Sequence, residues 1–354
     1  MKIKKYLPIA VIALSFIACK KEKSESNNKD SSSLPYKSGV FISCEGPFQN
    51  GTGTISFFNR STNVVDNDIF EKVNNRPLGN IVQSITVYND KGYITVNNAG
   101  KIEVVGIADF ISKGTITGFT SPRYFVGFNS SKGYVSDMSG FVAVVDLNSN
   151  TITKKIVSGR SPDNMVIVNN KLFALNYGGW GIDSTITIIN TNVDTIEKTI
   201  FIGYRPNSIK EDSNGKLWVM CGGKGYTAYP QSDDTEGHLL CLNTTTYEIE
   251  KDIPFPTSGD HPEHLVLNGS KTKAFYINNN MIYQFDLSSS SLNTTSFIGK
   301  SFYSIGLDNV SENLFAADPV DYSQAGWVFR YNSDNGIKID SFRVGVIPGN
   351  FDFK

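Results

Sequence analysis

The sequence is poor in the residues and motifs that most often carry chemistry. It has three histidines and four cysteines in 354 residues, and it contains neither a Gly-x-Ser-x-Gly nucleophile motif nor a phosphate-binding loop. The acidic stretch 233–236 lacks the spacing of a twelve-residue calcium loop, so we interpret it as a solvated loop. His261 and His264 share a segment that we expect to be extended, which would point their imidazoles to opposite sides. We therefore predict no metal site and no catalytic residues, and we do not expect an enzyme.

Excess charge of either sign and long apolar runs are also lacking. The 33 Lys and Arg residues nearly balance the 34 Asp and Glu residues. Beyond the first 37 residues the basic residues are scattered, so nucleic acid is not an expected partner. No apolar run reaches the roughly 20 residues of a membrane-spanning helix. Because no helical periodicity is sustained, and Val, Ile, Phe and Tyr alternate with turn residues, the chain is predicted to be all-β.

The N-terminus has the pattern of a lipoprotein signal peptide. Residues 1–18 join a basic start to a short apolar run that ends in Ala18, directly before Cys19. We expect cleavage before Cys19 and acylation of its thiol, which would attach the protein to a membrane by the lipid anchor alone. Residues 19–37 are predicted to be a flexible tether, because 20–33 contain no apolar residue. The folded domain is predicted to span 38–354.

Three cysteines remain after Cys19: Cys44, Cys221 and Cys241. An exported domain with so few cysteines does not depend on a disulfide framework. Cys221 and Cys241 fall on adjacent predicted strands. The sequence leaves open both a disulfide between them and buried free thiols.

A short apolar segment occurs seven times along the chain. The copy Gly215-Lys216-Leu217-Trp218-Val219 enters from a turn and continues into glycines. The central aromatic residues of the seven copies are Phe41, Tyr93, Tyr134, Phe173, Trp218, Phe275 and Phe315, at steps of 52, 41, 39, 45, 57 and 40 residues. This period is typical of four-stranded propeller blades.

A second signature precedes most copies: a proline followed three residues later by an apolar residue, as in Pro122-Arg123-Tyr124-Phe125. Proline cannot donate to a strand ladder, so each signature is predicted to open the innermost strand of a blade. Two further apolar segments follow each copy, which completes a four-stranded blade.

The two ends of the domain complete each other. The first copy, at Gly39, has no proline signature before it, whereas Pro348-Gly349-Asn350-Phe351 has no copy after it. We therefore predict a seven-bladed β-propeller closed by its C-terminal strand, which becomes the inner strand of blade one and removes an unpaired sheet edge.

In a propeller, the loops that enter the inner strands and those that follow the second strands converge on one face. Ligands are therefore expected there. The candidate binding residues on these loops are aromatic, charged or amide-bearing, a mixture that suits a flat polar ligand. They are Arg123, Tyr124, Arg160, Asp163, Asn176, Tyr177, Trp180, Tyr204, Arg205, His261, Glu263, Tyr303 and Tyr322.

The proline signatures, the Gly-Lys-Leu-Trp-Val strand, the Val-Val-Asp-Leu strand at 144–147 and the lipoprotein N-terminus resemble the YncE-like, surface-layer-type seven-bladed propeller lipoproteins of Gram-negative bacteria. Within that group the chain is similar to the cell-surface cobalamin-binding propellers. The resemblance implies an outer-membrane, surface-displayed protein that captures a small nutrient, best matched by cobalamin, for a TonB-dependent transporter. It matches no ligand-contacting motif residue by residue.

Two other functions remain open. A propeller enzyme of the lactonase or quinoprotein type would hold a metal or redox cofactor in the channel, which requires several converging carboxylate, Asn or His side chains. The inner-strand positions are instead mixed: Gln83, Arg123, Asp163, Asn207, Glu263, Tyr303 and Gly349. This mixture favours ligand binding without catalysis. An envelope scaffold that binds protein or glycan is the third hypothesis.

Overall fold

The computed structural model describes residues 35–48 and 51–354. The predicted signal peptide, Cys19 and most of the predicted tether lie outside the described residues. The compact unit spans Pro35–Lys354. It begins slightly before the predicted boundary at Ser38, because Tyr36 is buried against the rings of Phe57 and Phe110.

Seven antiparallel sheets form the blades of a β-propeller, and their inner strands contact one another in a closed ring. Blade one contains β1 (Gly39–Cys44), β2 (Thr54–Asn59), β3 (Val64–Asp66) and the C-terminal strand β27 (Pro348–Phe353). Blade two contains β4 (Val82–Tyr88), β5 (Lys91–Val96), β6 (Lys101–Gly106) and β7 (Ser112–Thr117). Blade three contains β8 (Pro122–Asn129), β9 (Lys132–Asp137), β10 (Phe141–Asp146) and β11 (Thr151–Val157). Blade four contains β12 (Pro162–Val168), β13 (Lys171–Asn176), β14 (Thr185–Asn190) and β15 (Thr195–Phe201).

The remaining blades follow the same order. Blade five contains β16 (Pro206–Glu211), β17 (Leu217–Cys221), β18 (His238–Leu242) and β19 (Ile249–Pro254). Blade six contains β20 (Glu263–Leu267), β21 (Lys273–Asn278) and β22 (Met281–Asp286). Blade seven contains β23 (Ser304–Asp308), β24 (Asn313–Asp318), β25 (Ala325–Asn332) and β26 (Lys338–Val346). The all-β, seven-bladed prediction is confirmed.

The recurring aromatic segment is the second strand of every blade. All seven aromatic side chains of the repeat are buried. They pack between adjacent blades: Tyr93 stacks on Phe125 of the next blade at 4.0 Å between ring centroids. The repeat is therefore the element by which each blade packs against its neighbour.

The C-terminal strand closes the ring as predicted. β27 pairs with β1 from Val40–Phe353 to Cys44–Pro348. Gly39 and Lys354 exchange backbone hydrogen bonds of 3.1 and 3.0 Å beyond the end of this ladder. On the other side, Gly306 of β23 admits the β27 phenylalanines, since a Cβ there would lie 2.8 Å from Phe351 Cβ.

Two features depart from the repeat. Among the described residues, blade six has three strands, β20 to β22. In the segment that follows β22, Ile298 pairs with Ile282 as an isolated bridge, and this segment does not form a fourth strand. The Ser- and Thr-rich residues 288–296 offer no alternating apolar face to a fourth strand. A short helix, α1 (Ile69–Asn74), links blades one and two and buries Ile69 and Phe70.

The cysteines of the domain are buried free thiols. Cys221 lies opposite His238 and Cys241 lies opposite Trp218, so the two thiols do not face each other across the hairpin. Burial raises the pKa of the Cys44 thiol to about 12 and that of Cys241 to about 11. In the described part of the chain, no helix has the length and apolar character needed to span a membrane.

Candidate ligand-binding site at the mouth of the channel

The inner strands of all seven blades start at the same end of the central channel. We call this end the loop face, because the loops into the inner strands and the long loops after the second strands lie there; the opposite end, with the short turns, is the turn face. At the loop face the channel opens into a cavity of about 280 Å³, the mouth cavity. Its walls include all seven predicted inner-strand positions, Gln83, Arg123, Asp163, Asn207, Glu263, Tyr303 and Gly349.

A hydrogen-bonded chain fixes one side of the mouth. Arg123 donates from Nε to Asp163 Oδ2 at 3.0 Å and from Nη1 to Gln83 Oε1. Burial disfavours the charged guanidinium, but Asp163 keeps the pKa of Arg123 above its usual value. Both partners lie on neighbouring blades, so Arg123 ties three inner strands together. Beside it, burial raises the pKa of Tyr124 to about 12, and its hydroxyl stays protonated as a hydrogen-bond donor.

A second polar pair lies across the mouth from this chain. Tyr303 donates its hydroxyl to Glu45 Oε1 at 3.0 Å. Burial raises the pKa of Glu45, against the opposing effects of Tyr303 and Arg123. Tyr322 of the next loop packs edge-on against Tyr303, with 5.8 Å between ring centroids. Two carboxylates of the mouth, those of Asp163 and Glu45, are therefore already engaged by protein donors.

Glu263 is the unengaged carboxylate of the mouth. Its side chain is exposed, and none of the ion pairs or side-chain hydrogen bonds found in residues 35–48 and 51–354 involves it. It lines the mouth cavity and also a smaller neighbouring cavity of about 200 Å³, which we call the side cleft. Tyr177 and Asn207 also line both, so the mouth and the side cleft form one continuous basin.

The side cleft is built around Arg205, which is only 4% exposed. Its guanidinium lies 4.3 Å from the ring centroids of both Tyr177 and Tyr226. It donates to both phenol oxygens and to the carbonyl of Gly181. Arg205 thus holds together the loops of blades four and five. A ligand in the side cleft would contact the rings of Tyr177 and Tyr226 rather than the guanidinium group between them.

His261 closes the other wall of the side cleft. Its Nδ1 lies 2.8 Å from the carbonyl oxygen of Gly222, and its Nε2 lies 3.1 Å from Asp234 Oδ2. His264 lines the mouth instead. The segment is not regularly extended as we expected, because His264 has a left-handed φ of 57°. The two imidazoles nevertheless line different cavities. Within the described residues, no group of three or more His, Cys, Asp or Glu side chains is placed to hold a metal ion.

Eight of the thirteen predicted binding residues line this basin: Arg123, Tyr124, Asp163, Tyr177, Arg205, His261, Glu263 and Tyr303. Five do not: Arg160, Asn176, Trp180, Tyr204 and Tyr322.

The five outlying residues have different surroundings, and Tyr322 packs against Tyr303. Asn176 is completely buried and bonds Ser158, Gly159, Thr185 and Thr187. Tyr204 packs against Phe201 and Lys224. Arg160 is exposed, and its backbone N–H donates to Asp183. Trp180 is 87% exposed on the loop above the side cleft.

Sequence reasoning missed several polar or aromatic lining residues, among them Glu45, His264 and Tyr226. Glu45 directly follows the second strand of its blade, as Tyr177 does in blade four. Alignment of the positions after the repeat would have found it. His264 follows Glu263, and the left-handed turn that points it inward has no sequence signal of its own. Tyr226 lies in the long loop between β17 and β18, where alignment of the repeats assigns no equivalent position in the other blades.

The comparisons with known proteins agree with this fold. A quinonprotein alcohol dehydrogenase-like protein from Bacteroides thetaiotaomicron has a TM-score of 0.68 at 14% identity, covering 90% of this chain and 78% of that one. Kuenenia stuttgartiensis hydrazine synthase has a TM-score of 0.56 at 13% identity over 71% of this chain and 76% of that one. The computationally designed Ika8 protein has a TM-score of 0.57 at 8% identity over 86% and 87%.

At such identities these likenesses show the fold alone. No curated protein sequence matches the chain. A sequence family does match, over residues 38–346, which include all of the propeller except the closing strand. The chain therefore belongs to the family described as "Domain of unknown function (DUF5074)".

Proposed function

We propose that the protein is a non-catalytic receptor whose loop face captures a small polar nutrient, with a corrinoid as the favoured ligand. The observation that carries this proposal is the continuous basin of mouth and side cleft, joined by Tyr177, Asn207 and Glu263. It combines aromatic surface with hydrogen-bonding groups that come from separate blades. Such a concave surface with few fixed polar groups is typical of ligand sites.

The charges of the basin favour a neutral, amide-bearing ligand. The mouth contains the carboxylates of Glu45, Asp163 and Glu263 and the cations Arg123 and Lys210. Because Glu45 and Asp163 already accept hydrogen bonds from protein groups, Glu263 remains to accept a ligand N–H. An anionic ligand would meet this carboxylate unfavourably.

The size of the basin indicates how a corrinoid would bind. A cavity of about 280 Å³ is too small to enclose a macrocycle. The ring would lie across the loop face, with an amide arm in the mouth and its apolar edge against exposed aromatic residues. Trp180 and Tyr226, which are 87% and 64% exposed, would supply this contact.

The same two engaged carboxylates argue against a cofactor-bearing enzyme. A metal or quinone–metal centre needs carboxylates that are free to converge on one cation. Here Asp163 is bound to Arg123, and Glu45 is bound to Tyr303. We therefore prefer ligand capture to catalysis.

The cellular setting that we propose follows from the N-terminal pattern and the resemblance. Acylated Cys19 anchors the protein to the outer membrane, where it is displayed at the cell surface. From there it passes its ligand to a TonB-dependent transporter. A transporter gene encoded next to this one would support this part of the proposal.

Titration calorimetry with cyanocobalamin tests the proposal. The wild-type protein should bind and co-elute with the coloured ligand in gel filtration. Trp180→Ala and Glu263→Gln should each weaken binding about tenfold, since loss of one good contact costs about 1.4 kcal/mol. Both side chains are exposed, so neither change should alter the unfolding midpoint.

Val310→Ala is the matched control. Val310 is 75% exposed in the turn after β23, on the turn face, and its loss should leave binding unchanged. Arg205 is unsuitable as a probe, because its removal would release the loops that it holds. Absence of both heat and co-elution with the wild-type protein would refute the corrinoid.

A further inference from the structure

The turn face holds a second cavity that the proposed receptor site does not use. We call it the turn-face cavity; its volume is about 420 Å³, within the ~300–1,000 Å³ typical of small-molecule sites. Its walls come from the inner strands of blades four, five, six, seven and one. Nine of the lining residues are apolar, Met165, Val166, Ile209, Val266, Leu267, Ile305, Leu307, Phe351 and Phe353, and six are polar or charged, Lys210, Glu211, Asn268, Lys271, Asn309 and Asn350.

The turn-face cavity meets the mouth cavity at a waist inside the channel. Four residues line both cavities and define this waist: Lys210, Val266, Ile305 and Asn350. Lys210 is the charged residue among them. The turn-face cavity therefore has a cationic group and an amide where it joins the rest of the channel.

Lys210 has no protein partner among the described residues: none of their ion pairs or side-chain hydrogen bonds involves its ammonium group. It is exposed only to the channel, and the surrounding protein lowers its pKa, against the opposing effect of Asp352. The Asp352 carboxylate instead accepts the N–H of Val87 at 3.3 Å. By contrast, Lys271, which lines the same cavity, pairs with Glu211 at 3.7 Å. Lys210 is therefore an unpaired ammonium group that faces the channel and is free to bind an anion.

We propose that the turn-face cavity binds a monocarboxylate with an apolar tail. The carboxylate accepts hydrogen bonds from Lys210 and Asn350 at the waist, and the tail lies against the apolar walls. One ammonium group balances one negative charge. A phosphate or a dicarboxylate would bring a second negative charge that finds no unpaired cation in the cavity, because Lys271 is paired with Glu211. An uncharged ligand would leave Lys210 unpaired.

Octanoate and octan-1-ol test this proposal, because they share a tail and differ in charge. The full-length chain carrying Cys19→Ala is titrated with each ligand by calorimetry. Octanoate should bind at least about tenfold more tightly, as expected for a charge-assisted hydrogen bond. Lys210→Met, which keeps an unbranched stem and removes the ammonium group, should abolish this difference.

Lys338→Met, on the outer strand of blade seven, serves as the control for net charge and should keep the preference for octanoate. Val266→Phe narrows the waist and should weaken the binding of both ligands. This variant tests whether they bind in the turn-face cavity even if Lys210→Met fails to fold. Trp180→Ala, on the loop face, should change neither affinity.

Three results would overturn the proposal: no binding of octanoate by the parent protein, equal affinity for octanoate and octan-1-ol, or loss of octanoate binding in Trp180→Ala. Either of the first two results would show that the cavity does not recognise a carboxylate. The third would show that octanoate binds at the loop face instead. Cyanocobalamin binding is a separate measurement, so failure of either site leaves the other testable.

Discussion

Removal of the last seven residues, 348–354, should prevent cooperative folding of the propeller. The deletion takes away β27, so blade one loses its inner strand and the ring loses its closure. β1 would then present an unpaired edge to solvent inside the channel, and Phe315 would lose the packing of Phe351 and Phe353.

The magnitude follows from two contributions. Loss of a buried phenylalanine costs about 3–5 kcal/mol, and because Phe351 and Phe353 are partly exposed we take about 2–4 kcal/mol for each. The ladder between β27 and β1 has five paired positions, and its hydrogen bonds contribute about 1 kcal/mol each. The total is about 10 kcal/mol, comparable with the whole stability of a typical domain, about 5–15 kcal/mol.

Urea unfolding followed by circular dichroism and tryptophan fluorescence measures this effect. The truncated chain should show no cooperative transition at 25 °C, whereas Ile339→Ala on the outer strand of blade seven should change the free energy of unfolding by less than about 0.5 kcal/mol. A synthetic peptide of residues 346–354 should restore the transition when added in excess, because it can supply the missing strand. An unchanged midpoint in the truncated chain would refute closure by β27.

Three further predictions concern charge and anchoring. Burial raises the pKa of Asp352 to about 7 from 3.8. The protonated carboxyl is therefore favoured in the folded protein, and the stability that it contributes at low pH is lost as the pH rises towards 7. Asp352→Asn should flatten the pH dependence of the free energy of unfolding and raise that free energy by up to about 4 kcal/mol near pH 8. Parallel pH profiles of mutant and wild type would disprove this. Arg60 and completely buried Asp308 join blades one and seven by hydrogen bonds of 2.6 and 2.8 Å, so Arg60→Leu should lower the free energy of unfolding by about 3 kcal/mol; a loss under 1 kcal/mol would argue against this role. Cys19→Ala should leave the protein in the soluble fraction after export, and a mutant that still sediments with membranes would indicate another anchor.

Much of the fold could be predicted because the propeller repeats. A blade buries its second strand on both faces, so the same apolar segment recurs wherever a blade occurs, and the proline signature marks the start of each inner strand. The C-terminal closure followed from the same logic, since Pro348 had no second strand after it and Gly39 had no inner strand before it. The seven inner-strand positions that line the mouth were predictable for the same reason.

Only the tertiary structure decided which loop residues share a site. Arg205 and Trp180 look equally suitable for ligand binding in the sequence, yet Arg205 is buried between Tyr177 and Tyr226 while Trp180 is exposed. Lys210 occupies an unremarkable place in its strand. Its significance depends on the apolar side chains that four other blades bring to the same cavity. A periodic sequence determines the strands because each strand's burial is set locally, within and between adjacent blades, whereas a site on the channel depends on which side chains from distant parts of the chain meet once the ring has closed.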